Sequence, residues 1–349
     1  MSVTVYSDVD EIPADIARHM AYGSGRDFFT SLEWFRCLCR FGVGGERHPR
    51  IYVARPEGGA GLCALFCLAH EGARRLDSMT TYFSMDFAPV TADEGAALLD
   101  GVLAFIAAER PRWRILNFRM MADAGARRRM CAGLRRQGFL VNSYFQFENY
   151  FEDGIKGDFE VYYDSRSSRV KNTIRRKERR LLKDHAVRID LRNDFHEPTI
   201  DAYERIYALS WKGGEEFPQF IREMCRTAAA LGLLRMGVLH VDDVPAAAQL
   251  WLLSNGRAVV YKLAYDEAFR DYSVGSILTR DMMKYVIEGD NVTEIDYGVG
   301  SEQYKADWMT AKRSIMGLEA FNMRSPAGAL AAGIWYAGRT AKQFLRSER

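Results

Sequence analysis

The chain has 349 residues, and its 48 Lys and Arg nearly cancel 46 Asp and Glu, leaving a net charge of +2. This excludes a polyanion binder that works through its whole surface, so any anion site must be local. A hydrophobic share of 48% excludes a disordered chain, and the length favours two domains over one core.

The first residues, M-S-V-T-V-Y-S-D-V-D, are acidic and lack a basic segment followed by an apolar run, which argues against a secretory signal. No stretch approaches the roughly 20 apolar residues that a spanning helix needs. Six cysteines (Cys37, Cys39, Cys63, Cys67, Cys131 and Cys225) read as reduced thiols that act as small hydrophobes. Their C-x-C and C-x3-C spacings do not suit a zinc site, and no metal is expected. A cytoplasmic protein is expected, either free or peripheral to the inner membrane.

In chain order, residues 50–55 and 62–69 read as strands joined by a turn at 56–61, hence a hairpin. A loop over 80–90 precedes a helix over 92–109, whose Leu98, Leu99, Val102, Leu103 and Ile106 fall at helical spacing. A strand at 113–118, a basic helix at 127–137 and a closing strand at 138–147 follow. The second half repeats this order: strands at 232–240, 246–253 and 258–265, a helix at 274–288, a strand at 293–298, a short helix at 304–308 and a closing strand at 314–321. Trp113 and Thr293 hold equivalent places, about 180 residues apart. The pattern predicts a tandem α/β (α+β) protein with domains 1–150 and 151–325. The boundary falls in the polar, glycine-rich stretch 151–158, and a tail of 326–349 follows. With its small residues, Ile334, Trp335, Phe344, Leu345 and basic residues, that tail suits either a membrane surface or packing on the domain.

The second half also carries an ordered series: Ser210-Trp211-Lys212, Leu250, Tyr265-Asp266, Ser273-Val274-Gly275, D296-Y-G-V-G-S-E-Q-Y-K305 and Trp308. This series resembles the CelD/BcsL-type branch of the GNAT acyltransferase superfamily. That branch is allied to the FemAB-type transferases, which carry two GNAT-like domains in tandem. The resemblance covers roughly residues 155–325, and residues 1–150 only through the order of elements. It implies two GNAT-like domains, each a mixed, mostly antiparallel sheet flanked by helices, with the N-terminal one degenerate. It also implies an acyl donor, usually acyl-CoA (acetyl-CoA), and an amine or hydroxyl acceptor. CelD/BcsL-type members are associated with cell-surface polysaccharide, where sugar amines are plausible acceptors. FemAB-type members use aminoacyl-tRNA and a peptidoglycan precursor.

In this family a glycine-rich turn at the start of the long helix binds pyrophosphate. Here the turn is Ser273, Val274, Gly275 and Ser276, which offers helix N-terminal N–H groups without the full Q/R-x-x-G-x-G/A motif. The acyl group is expected where strands 258–265 and 293–298 part. Near their ends Asp296 is the candidate base, Tyr304 the candidate acid, and Lys305 and Lys262 candidates for holding acceptor or phosphate. The resemblance puts Trp211 and Lys212 on the acceptor side, with Tyr265 and Asp266 near them. The glycines of Gly298-Val299-Gly300 read as a tight turn that lets Asp296 and the Tyr304-Lys305 pair face one cleft.

Residues 166–183 contain nine Lys or Arg in eighteen positions, with Val170, Ile174, Leu181 and Leu182 as a thin apolar stripe. This is a docked helix with a basic outer face. It is either plainly solvated or, through residues such as Arg175 and Arg176, a guide for CoA phosphates, tRNA, a lipid-linked sugar phosphate or an anionic membrane surface. Three readings therefore stand: an acyl-CoA-dependent N-acyltransferase, an aminoacyl-tRNA-dependent transferase, and a non-catalytic GNAT-like binding module.

Overall fold

The computed structural model describes residues 1–347 other than 24, 60, 93, 94 and 301, with side chains as far as residue 338. Ala60 of the expected turn, Asp93 and Glu94 of the expected helix, Ser301 of the motif series and the last two tail residues lie outside the described residues.

The chain forms two compact units. Its elements begin with β1 (Ser2–Tyr6), α1 (Ala14–Ala17), α2 (Leu32–Cys37), β2 (His48–Arg55), β3 (Leu62–His70), β4 (Arg75–Ser78) and β5 (Val90–Ala92). Next come α3 (Leu99–Ala108), β6 (Ile115–Met121), α4 (Ala124–Arg136) and β7 (Phe139–Asp153). The helices α5 (Phe159–Asp164) and α6 (Ser168–Asp184) lead to β8 (Val187–Arg192), α7 (Glu197–Leu209), α8 (Pro218–Ala230) and β9 (Leu234–Val241). The chain ends with β10 (Val244–Ser254), β11 (Arg257–Tyr265), α9 (Val274–Lys284), β12 (Glu294–Asp296), β13 (Ala311–Asn322) and α10 (Pro326–Ser347).

Unit 1 comprises Met1–Gly23, Phe29–Gln146 and Ser314–Arg349. Its strands run in the order β1-β2-β3-β4-β6-β13-β7, with β5 on β3. The wholly apolar run of β3 is buried on both faces, as a central strand requires. β4 and β6 are parallel and pair only over Arg75–Asp77 and Ile115–Asn117. Where they part, segment 80–89 fills the gap. Phe83 and Phe87 are buried, Phe87 N–H donates to Met120 O at 2.8 Å, and its ring stacks on Phe118.

Unit 2 comprises Ser24–Phe28 and Phe147–Arg313. Its strand order, β8-β9-β10-β11-β12-β7, repeats the pattern of unit 1. Three antiparallel pairings lead to one short parallel pairing, here β11 with β12. α9 buries Ile277, Leu278 and Met282 in the same core as Trp251 of β10. Gly237 of β9 permits its approach, since a Cβ there would lie 2.6 Å from Met282 Sδ. Ser314–Arg349 belongs to unit 1 and the end of β7 to unit 2, so the closing strands are exchanged. β12 pairs with Phe151–Asp153 of β7, and β6 pairs with Met316–Phe321 of β13. The expected linker at 151–158 therefore begins as strand, because β7 runs on to Asp153 and pairs there with β12.

The tail forms α10. Gly328 packs so closely that a Cβ would lie 2.3 Å from Asn322 O, and Ala332 is buried, while Leu330 and Ile334 are exposed. Among the described residues no helix is long and apolar enough to cross a membrane.

Candidate active site

β11 and β12 pair over three positions, Arg257–Val259 against Glu294–Asp296. β11 continues to Tyr265, whereas the chain leaves β12 through Gly298, whose φ of +69° suits glycine. The gap opens into a cavity of about 520 Å³. Leu263 and Tyr265 of β11 line it, with Tyr297, Tyr304 and Trp308 from the chain after β12. Ser273–Ser276 and Thr279 line it from the start of α9, and Trp211, Lys212 and Arg270 from two loops.

The start of α9 leaves two backbone donors open. Ser273 takes a left-handed conformation (φ +54°) and makes no side-chain cap. Its carbonyl accepts from the N–H groups of Ser276 and Ile277 at 3.0 and 3.1 Å. The N–H groups of Val274 and Gly275 have no acceptor among the described residues, which is the arrangement that binds phosphate at helix ends. Gln249 of β10 fixes this turn, donating to Gly275 O at 3.1 Å and Thr279 Oγ1 at 2.7 Å while accepting from Trp251 Nε1.

Among the described residues, the cavity lining contains no Asp or Glu, while Lys212 and Arg270 supply positive charge. Lys212 Nζ donates to Leu263 O at 2.8 Å and faces the rings of Tyr207 and Trp211. Burial, and then the charge of Lys262, lower its pKa to about 8. Because the folded pKa lies below the unfolded one, the unfolded chain binds more protons between about pH 8 and 10.5, so Lys212 favours folding increasingly as pH rises through that window. Any stability advantage of Lys212→Met over the wild type should therefore shrink from pH 7 to pH 10. Thermal melts across that range check this, and an unchanged difference would contradict it.

Tyr304 meets Tyr297 edge to face at 5.8 Å. Desolvation, followed by the nearby Glu302, pushes the Tyr304 phenol above its ordinary value. Burial does the same to Tyr297, so both are proton donors at neutral pH.

The structure gathers Ser273, Val274, Gly275, Ser276, Trp211, Lys212, Tyr265 and Tyr304 around one cavity. It does not bring the expected base there. Asp296 is buried, its Oδ1 accepts from Asn149 Nδ2 (2.7 Å) and Gly298 N–H (2.8 Å), and its Oδ2 meets Arg313 and Arg257. With both oxygens engaged it braces the turn and has no free face for a substrate proton. Lys305 is also a brace, donating to Val299 O at 2.6 Å and pairing with Glu302. Lys262 pairs with Glu215, and Asp266 caps the short helical segment Glu267–Tyr272. Gln249, Arg270, Thr279 and Tyr297 were not foreseen as site residues. Gln249 alone carried a signal, as a lone amide inside the apolar run of β10.

α6 docks through Val170, Ile174 and Leu181, whereas Leu182, expected in that stripe, is 59% exposed. Lys177 donates to Asp271 O and Arg180 lies over Tyr272, so α6 borders the segment leading into Ser273. Arg175, Arg176, Arg179 and Lys183 are exposed, and none has a carboxylate partner among the described residues.

A parallel pair that splays beside the open start of a helix is matched by one family model. Residues 168–306 match the model of the acetyltransferase (GNAT) domain. The match spans α6 to the braced turn and so includes most of the cavity. Among solved structures, FemX is similar over 95% of this chain and 99% of its own, with a TM-score of 0.63 and 10% identity. The C-terminal domain of a putative lysylphosphatidylglycerol synthetase from Agrobacterium fabrum matches at TM-score 0.54 and 14% identity, over 93% of this chain and 94% of that one. A tandem GNAT protein from the clavulanic acid biosynthesis pathway matches at 0.50 and 12%, over 91% and 98%. At these identities the likeness is one of fold. No curated protein matches this chain.

Proposed function

We propose that unit 2 transfers an acyl group from acyl-CoA directly to an amine of a sugar or cell-envelope precursor. The observation that carries this is the cavity, which joins unsatisfied N–H groups of α9 to the splay of β11 and β12 and has no carboxylate in its lining. A donor with a pyrophosphate and a long neutral arm fits both ends of that space. Val274 and Gly275 would hold phosphate oxygens, and Arg175 and Arg176 would raise the local concentration of the anion. Tyr304, kept protonated, would supply the proton to the departing thiolate. Asp296 and Lys305 would act as positioning residues for the loop that carries Tyr304. The ordered motif series supports an acceptor connected with cell-surface polysaccharide, and such a donor suits a reaction in the cytoplasm.

A second reading rests on the unpaired arginines of α6 together with the fold shared with FemX and a putative lysylphosphatidylglycerol synthetase. On that reading the donor is an aminoacyl-tRNA. RNA co-purifying with the protein, and lost when Arg175, Arg176, Arg179 and Arg180 are neutralised, would favour it. Binding of neither donor would leave a non-catalytic module.

Calorimetry with acetyl-CoA tests the first reading through Ser276→Asp. An acidic residue in the first turn of α9 suits the helix dipole, so melting should hold or rise slightly. Its charge faces the donor phosphates, and affinity should fall at least about tenfold, or roughly 1.4 kcal/mol. Unchanged affinity would remove phosphate binding from this turn.

A further inference from the structure

Three lysines cluster beside the cavity, and they differ in state. Lys262 is buried against Glu215 at 3.0 Å, and Lys305 is buried against Glu302 and two carbonyls. Lys212 is the one that lines the cavity, and among the described residues no carboxylate lies within ion-pair distance of its Nζ. Among the described residues its one side-chain hydrogen bond goes to Leu263 O, on the stretch of β11 that still pairs with β10 but has left β12, where the acyl end of a donor is expected.

We propose that Lys212 is a modification site, acylated on Nζ by the donor that this cavity binds. The inference rests on the acyl-CoA reading above. The neutral amine attacks the thioester carbonyl, a C–N bond forms as the C–S bond breaks, and the surplus proton on nitrogen passes to the departing sulfur. The product is a stable amide and therefore an end state rather than an intermediate. It removes the positive charge of Lys212 from the lining and fills the side of the cavity shared with Trp211, so a protein charged with donor but starved of acceptor switches itself off. Selectivity follows from charge state. A surface lysine is almost wholly protonated at pH 7.5, whereas burial beside Lys262 leaves Lys212 partly neutral. Confinement next to the thioester adds a proximity advantage that a surface lysine lacks.

The experiment incubates the full chain with acetyl-CoA and follows acetylation of each lysine by peptide mass spectrometry between pH 6.5 and 9.5. Lys212 should label at least about tenfold faster than surface lysines at pH 7.5. Its rate should level off above about pH 8, while surface lysines keep accelerating. Added CoA should slow Lys212 alone, and Lys212→Arg should lose the fast-labelling peptide without a new site replacing it. If calorimetry shows acetyl-CoA binding but Lys212 labels no faster than surface lysines, the modification is refuted and the transferase reading stands. If acetyl-CoA does not bind, both fall together.

Discussion

Asp296→Ala should lower the stability of unit 2 by about 3 kcal/mol, because it removes a buried carboxylate shared by two partly buried guanidinium groups and an asparagine amide. Arg313 keeps Glu294 and Arg257 keeps Asp27, which holds the loss near the lower end for a broken buried ion pair. For a unit of this size that corresponds to a fall in Tm of roughly 6–12 °C. The effect should shrink in Asp296→Asn, which retains an acceptor for Gly298 N–H. The same comparison separates the brace from a base. A base would lose turnover in Asp296→Asn with Tm unchanged, whereas a brace loses Tm in the order alanine, asparagine, wild type. Calorimetric melts of the three proteins decide between them.

Tyr304→Phe should leave the fold and donor affinity nearly unchanged and cut turnover about 100-fold, the usual cost of losing a positioned proton donor. The ring keeps its edge contact with Tyr297, so the loss is confined to the hydroxyl. Thiol release from acetyl-CoA, followed alongside calorimetric affinity, gives both quantities. A raised Kd with unchanged turnover would make Tyr304 a binding residue instead.

The repeat and its elements were legible because a central strand such as β3 reads as an apolar run over Leu62–Ala69 and α9 as a stripe at helical spacing. The start of α9 was legible too, since Ser273–Ser276 combine glycine, serine and a helix start after a strand. The exchange of closing strands was not, because nothing local in β7 or β13 says which neighbour each will choose. The role of Asp296 misled for a related reason. A carboxylate at a strand end suits catalysis and bracing equally, and the deciding partners, Arg313, Arg257 and Asn149, are distant in sequence. Degeneracy of the first unit was expected from the resemblance. In unit 1 the segment carrying Phe87 lies against β6 beyond its pairing with β4, whereas in unit 2 a cavity opens where β11 and β12 part.

The central claim is that the first turn of α9 receives the phosphates of an acyl donor. Amide hydrogen exchange across residues 270–280, with and without CoA, tests it directly. The account predicts that exchange at Val274 and Gly275 slows on adding CoA, and that Ser276→Asp abolishes this protection. CoA binding with unaltered exchange in that turn would contradict it.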